Sequence, residues 1–117
     1  MQQAVIAKLS GRSSFTCAVM VDMASHRKGT APRQASRFKR LRDAGAQVYL
    51  CTGTSRTGVF HTKAIVIDAK VAFVGGSNVT YACRHNRDLM LRLAGPPVSQ
   101  ILAGLEEAKA NASNQEL

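Results

Sequence analysis

The chain has no tryptophan, two tyrosines and four phenylalanines in 117 residues. Stacking of bases on aromatic platforms is therefore not the obvious means of binding, and contact with a backbone is. Acids are scarce too, 7 Asp and Glu against 16 Lys and Arg, for a formal charge of +9. That balance disfavours basic partners and favours a polyanion, because a cationic surface releases the counterions of a nucleic acid on contact. Anionic lipid headgroups would satisfy the same charge. No apolar run is long enough to span a bilayer, and "SFTCAVMVDM" at 14–23 reads as a core strand. Cys17, Cys51 and Cys83 are an odd number without a CxxC pair, which excludes a fully paired disulfide framework. They read as buried, reduced thiols of a reducing compartment, the cytoplasm by default. Cys83 and His85 supply two metal ligands without two more at suitable spacing. No catalytic metal and no cofactor is expected.

What is present is concentrated in "HTKAIVIDAKVAFVGGSN", residues 61–78. A strand repeats its facing every second residue, so His61 and Lys63 are expected on one side of a strand over 60–68. Ala64 to Ile67 is apolar on both faces, the pattern of a strand covered on both sides. Ala69-Lys70 is short enough for a tight turn, with Val71 to Val74 as the antiparallel return. The far end of that return, Gly75-Gly76-Ser77-Asn78, then lies beside His61. Imidazole can attack phosphorus, while ammonium and amide groups can hold anionic oxygens, so the expected substrate is a phosphate ester.

This stretch resembles the HKD motif of the phospholipase D superfamily, H-x-K-x4-D-x6-G-[SG]-x-N, with His61, Lys63, Asp68, Gly75, Gly76 and Asn78 at the fixed positions. Asn86-Arg87-Asp88 is similar to the Asn-x-Glu/Asp that many members carry before a final strand. Many members have serine after the first motif glycine; here Gly76 takes that place and Ser77 follows as a candidate phosphate contact. Single-motif members usually have further strands before the element equivalent to Ser14–Asp22, so a chain shortened at its N-terminus is expected. The fold implied is a phospholipase D-like α/β/α sandwich with a mixed β-sheet. The elements expected are helices near 2–10, 32–44 and 97–111 and strands near 14–22, 46–51, 60–68, 71–75 and 87–93. Residues 1–112 form a single domain and 113–117 a polar tail.

The resemblance implies that two such motifs meet at a twofold axis, one histidine attacking phosphorus to form a phosphohistidine and the other protonating the leaving oxygen. One complete motif occurs in this chain. "HRKGTAPR" at 26–33 repeats the His-x-Lys spacing but has Arg33 where the aspartate belongs and no Gly-Gly-x-Asn after it. A C2 homodimer sharing one composite site is therefore expected. His61, Lys63, Asn78 and Asp88 are the expected catalytic residues, with Asp88 orienting the histidine. Asp68, Gly75 and Gly76 are expected to be structural, Asp68 as an ion-pair or hydrogen-bond partner.

Arg37 and Arg40 lie on a basic helix started by Thr30 or Pro32 and stopped by Gly45, with Ala35, Phe38 and Leu41 on its apolar face. They are candidates for gripping a nucleic-acid backbone, and Arg56 for the rim of the site. The function expected is a metal-independent endonuclease acting on DNA or RNA. The alternatives are a cardiolipin hydrolase or phosphatidyltransferase acting on anionic phospholipid, favoured by an apolar rim, and an inactive nucleic-acid-binding relic.

Overall fold

The apolar run after Cys17 becomes strand β1 (Ala18–Asp22), and the one after Gly45 becomes β2 (Gln47–Cys51). The computed structural model describes residues 1–11, 14–23, 32–54, 58–76, 78 and 82–111. The chain forms two compact units, one from Met1–Phe60 with Ala108–Leu117 and the other from His61–Glu107.

In the first unit β1 and β2 pair in parallel, from Ala18 opposite Gln47 to Asp22 opposite Cys51. A parallel pair needs a crossover, and helix α2 (Pro32–Asp43) lies in it. Pro32 opens α2, where its fixed φ suits a first helical turn. The helix ends in a Schellman arrangement: Gly45 N donates to Arg42 O at 2.8 Å, Ala46 N donates to Leu41 O at 3.0 Å, and Gly45 has φ 101°. Leu41 and Ala46, the residues this turn brings together, are both buried. Val48 and Leu50 alternate with exposed Gln47 and half-buried Tyr49, and their burial contributes about 1.5–3 kcal/mol each. Helix α1 (Gln2–Gly11) packs on α2, with Gln2 Nε2 donating to Arg37 O at 2.9 Å. Ala35, expected on the apolar face of α2, is exposed; Phe38 and Leu41 carry that face.

In the second unit β3 (Ala64–Ile67), β4 (Val71–Gly75) and β5 (Met90–Ala94) form an antiparallel sheet with β4 in the middle. A short 3₁₀ turn (Ala82–His85), not foreseen from the sequence, precedes β5. Ala72, at the centre, is fully buried, whereas no residue of β3 is and Ile67 is 49% exposed. The expectation of a strand covered on both faces is thus corrected. Within this sheet β3 is an edge strand, so it lacks the neighbours that bury a central one. Helix α3 (Pro96–Asn111) follows β5 through Gly95, whose φ of 77° permits the sharp change of direction. Its Val98 is buried to 1% exposure. Its last residues belong to the first unit, where Lys109 lies over the Tyr49 ring, 5.3 Å from the centroid. The fold is α/β, and among the described residues its parallel and antiparallel pairings occupy separate ladders.

Candidate active site

Register brings the motif together. Ala64 stands opposite Val74, and the ladder extends one step further because Gly75 N donates to Lys63 O at 3.2 Å. Gly75 in turn stands opposite Met90 on β5. Lys63, Gly75 and Met90 therefore share one rung at one end of the three-stranded sheet. His61 precedes that rung, Gly76 and Asn78 follow it from β4, and Asp88 lies two residues ahead of Met90. Four chemically capable residues lie at the same end of the sheet.

Their local arrangement differs from a simple strand. β3 begins at Ala64, so His61 and Lys63 lie in the segment leading into it rather than on its face. The Lys63 ammonium turns back and donates to His61 O at 2.7 Å. An ammonium has three N–H donors, so two remain for an anion. The His61 ring is exposed, as are Asn78 and Asp88.

Asp68 is displaced from the expected strand end. It lies in the turn with φ 52°, followed by Ala69 with φ 53°, and Lys70 N donates to Ile67 O at 3.0 Å to close the turn. Its carboxylate is exposed and makes no ion pair or hydrogen bond among the described residues. Aspartate tolerates the left-handed region better than most residues, which suits it to this position.

A Cβ on Gly75 would fall 2.6 Å from Leu89 O and 3.1 Å from Met90 Cα, so this glycine lets β5 approach β4. Among the described residues a Cβ on Gly76 would meet only Asp88 Oδ1, at 4.0 Å. Gly76 is the open member of the pair. Ser77 and Arg56 lie outside the described residues.

Electrostatics single out part of α2. Asp43 Oδ2 accepts from Lys39 Nζ at 2.6 Å, and Asp43 Oδ1 lies 3.7 Å from Arg42 Nη2. The Lys39 hydrogen bond, helped by both positive charges, holds the Asp43 carboxyl below its ordinary range. Arg37 and Arg40 are exposed and carry no ion pair among the described residues. Burial pushes the Cys17 and Cys51 thiols upward, which keeps them protonated and unreactive. None of the three cysteines is in a disulfide among the described residues; Cys51 is buried, and Cys17 and Cys83 are half-buried rather than buried as expected. Among the described residues no three His, Cys, Asp or Glu side chains are grouped to hold a metal ion. No helix among them is long and apolar enough to cross a membrane.

Two features were not read from the sequence. Leu89, Met90 and Leu91 are 77%, 45% and 54% exposed, a consecutive apolar strip directly after Asp88. Apolar periodicity placed them in a strand but could not say that its sides are open. Asp22 Oδ1 accepts from Phe60 N at 2.8 Å. The only signal for it was an acid closing an otherwise apolar run.

The family model described as "Cardiolipin synthase, PLD-like domain" matches residues 2–107. Comparison with curated protein sequences finds no match. Among solved structures, the chain resembles a phospholipase D family member, Nuc from Salmonella typhimurium, with a TM-score of 0.63 and 11% identity. The alignment covers 99% of this chain and 91% of that one, and identity that low speaks to the fold alone.

Proposed function

Since the chain belongs to the phospholipase D-like family whose model spans residues 2–107, and is a phosphodiester-acting enzyme of that family, we propose that it hydrolyses DNA or RNA, without metal, through a phosphohistidine at His61. The observation that carries the proposal is the rung of Lys63, Gly75 and Met90, which directs His61, Asn78 and Asp88 to one end of the sheet. In the first step an imidazole nitrogen of His61 attacks phosphorus as the bond to the leaving oxygen breaks. A second histidine gives that oxygen its proton. In the second step this histidine takes a proton from water, whose oxygen attacks phosphorus and releases His61. The free N–H groups of Lys63 and the Asn78 amide hold the non-bridging oxygens as charge shifts onto them. Asp88 steadies the protonated histidine, as an acid does in a catalytic triad. Ser77 and Arg56 remain candidate substrate contacts from the sequence.

With one motif per chain, the second histidine is the His61 of a second copy in a C2 homodimer. The nucleic-acid substrate is favoured by the charge of +9 and by the exposed Arg37 and Arg40. Base stacking is not required of a site that takes hold of the sugar-phosphate backbone.

One observation favours a second reading. The exposed strip Leu89–Met90–Leu91 beside Asp88 is an apolar rim of the kind that suits an anionic phospholipid. Incubating the protein with plasmid, single-stranded RNA and cardiolipin vesicles, all in EDTA, separates the two. Cleavage of nucleic acid, with binding that weakens as salt rises, is the expected result. Turnover of the vesicles alone would keep the chemistry and transfer the substrate to lipid. Loss of all activity in EDTA, restored by magnesium, would remove the histidine mechanism.

A further inference from the structure

Asp22 is the last residue of β1, paired in register with Cys51 and therefore on a fixed backbone. Its Oδ1 accepts the Phe60 N–H at 2.8 Å across 38 residues of sequence. Phe60 is the residue immediately before His61. We infer that Asp22 is a positioning residue for His61: its carboxylate holds the Val59–Phe60 peptide, one residue ahead of the nucleophile. The inference rests on the proposal that His61 attacks phosphorus.

The surrounding backbone shows why such a hold is needed. Regular pairing stops at the Thr52–Val59 bridge and resumes at β3, which begins at Ala64. Between them the backbone on either side of His61 has two side-chain anchors among the described residues. Asp22 takes the N–H one residue before it, and the Lys63 ammonium takes the carbonyl of His61 itself at 2.7 Å. Both are hydrogen bonds to a charged group, roughly twice as strong as neutral ones. A nucleophile outside regular secondary structure has few other means of keeping its place. Misplacement by about 1 Å lowers the rate by about a hundredfold. Asp22 contacts neither the reacting atoms nor the imidazole through this bond, so its effect is transmitted by the backbone.

The test reads Phe60 amide exchange and the His61 ring signals by NMR on the full chain. It adds kcat and KM on bis(p-nitrophenyl) phosphate. In the wild type the Phe60 amide should be protected from exchange. Asp22→Ala should abolish that protection, move the His61 ring signals, and lower kcat by at least about tenfold with KM changed less than about twofold. Asp22→Asn retains an oxygen that can accept the same N–H, and should restore protection, ring signals and most of kcat. Unmoved His61 signals in Asp22→Ala, or no rescue by Asp22→Asn, overturns the inference. If Asp22→Ala does not fold, an unprotected Phe60 amide in the wild type, or Asp22→Asn signals unlike the wild type, overturns it equally. A wild type inactive on all phosphodiesters would remove the proposed function, while the NMR results still judge the hold on His61.

Discussion

Gly75 and Gly76 are adjacent in the motif and meet different neighbours. A methyl group on Gly75 would press into the backbone of Leu89 and Met90, atoms that cannot swing away. A methyl group on Gly76 would come no closer than 4.0 Å to one carboxylate oxygen of Asp88. Gly75→Ala should therefore destabilise the protein by about 1–3 kcal/mol, as forced overpacking does, and Gly76→Ala by less than about 0.5 kcal/mol. Urea unfolding of the two variants checks this, and equal losses would contradict the division of roles. Spacing alone shows both residues as motif glycines. Which of them the sheet requires depends on a strand that begins fifteen residues later in the chain, and no local pattern contains that.

The β3–β4 hairpin makes the corresponding point for an element. Its existence is legible from two apolar runs separated by polar residues. Its turn is not, because Asp68 and Ala69 take consecutive positive φ values, a turn usually built from Asn-Gly or Asp-Gly. Ala69 carries a Cβ in the left-handed region, at a cost of about 1–2 kcal/mol. Ala69→Gly relieves that cost but gives the unfolded chain more freedom, so a net gain of about 0.5–1 kcal/mol is expected. Thermal unfolding measures it, and a lower melting temperature would show that Ala69 is not strained. Helix α2, by contrast, is bounded by signals that sequence displays openly, Pro32 at its start and Gly45 just beyond its end.

At the scale of the whole molecule, one motif per chain has a kinetic consequence. In the proposed composite site His61→Ala removes the nucleophile and the proton donor at once from a homodimer. A mixed dimer of wild type and His61→Ala keeps one histidine and cannot complete both steps. Activity across a subunit-mixing series should then follow the square of the wild-type fraction, since only wild-type pairs carry both groups. A straight line would mean independent sites. A fully active monomer in sedimentation would mean that another group in the same chain donates the proton, with His85 the first to test.

Helix α2, the hairpin and the family are determined by sequence because each rests on a local rule. Proline fixes its own φ, glycine reaches conformations closed to other residues, and the interval from His61 to Asn78 is counted along one stretch of chain. Other properties depend on what the tertiary structure brings alongside. Folding turned the Lys63 ammonium onto a carbonyl, moved Asp68 into a turn, left Leu89 to Leu91 open and brought Asp22 to the Phe60 N–H. Helical and strand periods of 3.6 and 2 say which residues share a face. They carry no information about the partner that face will meet, because burial and long-range hydrogen bonds are properties of pairs of segments, and the pair exists only once the chain has folded.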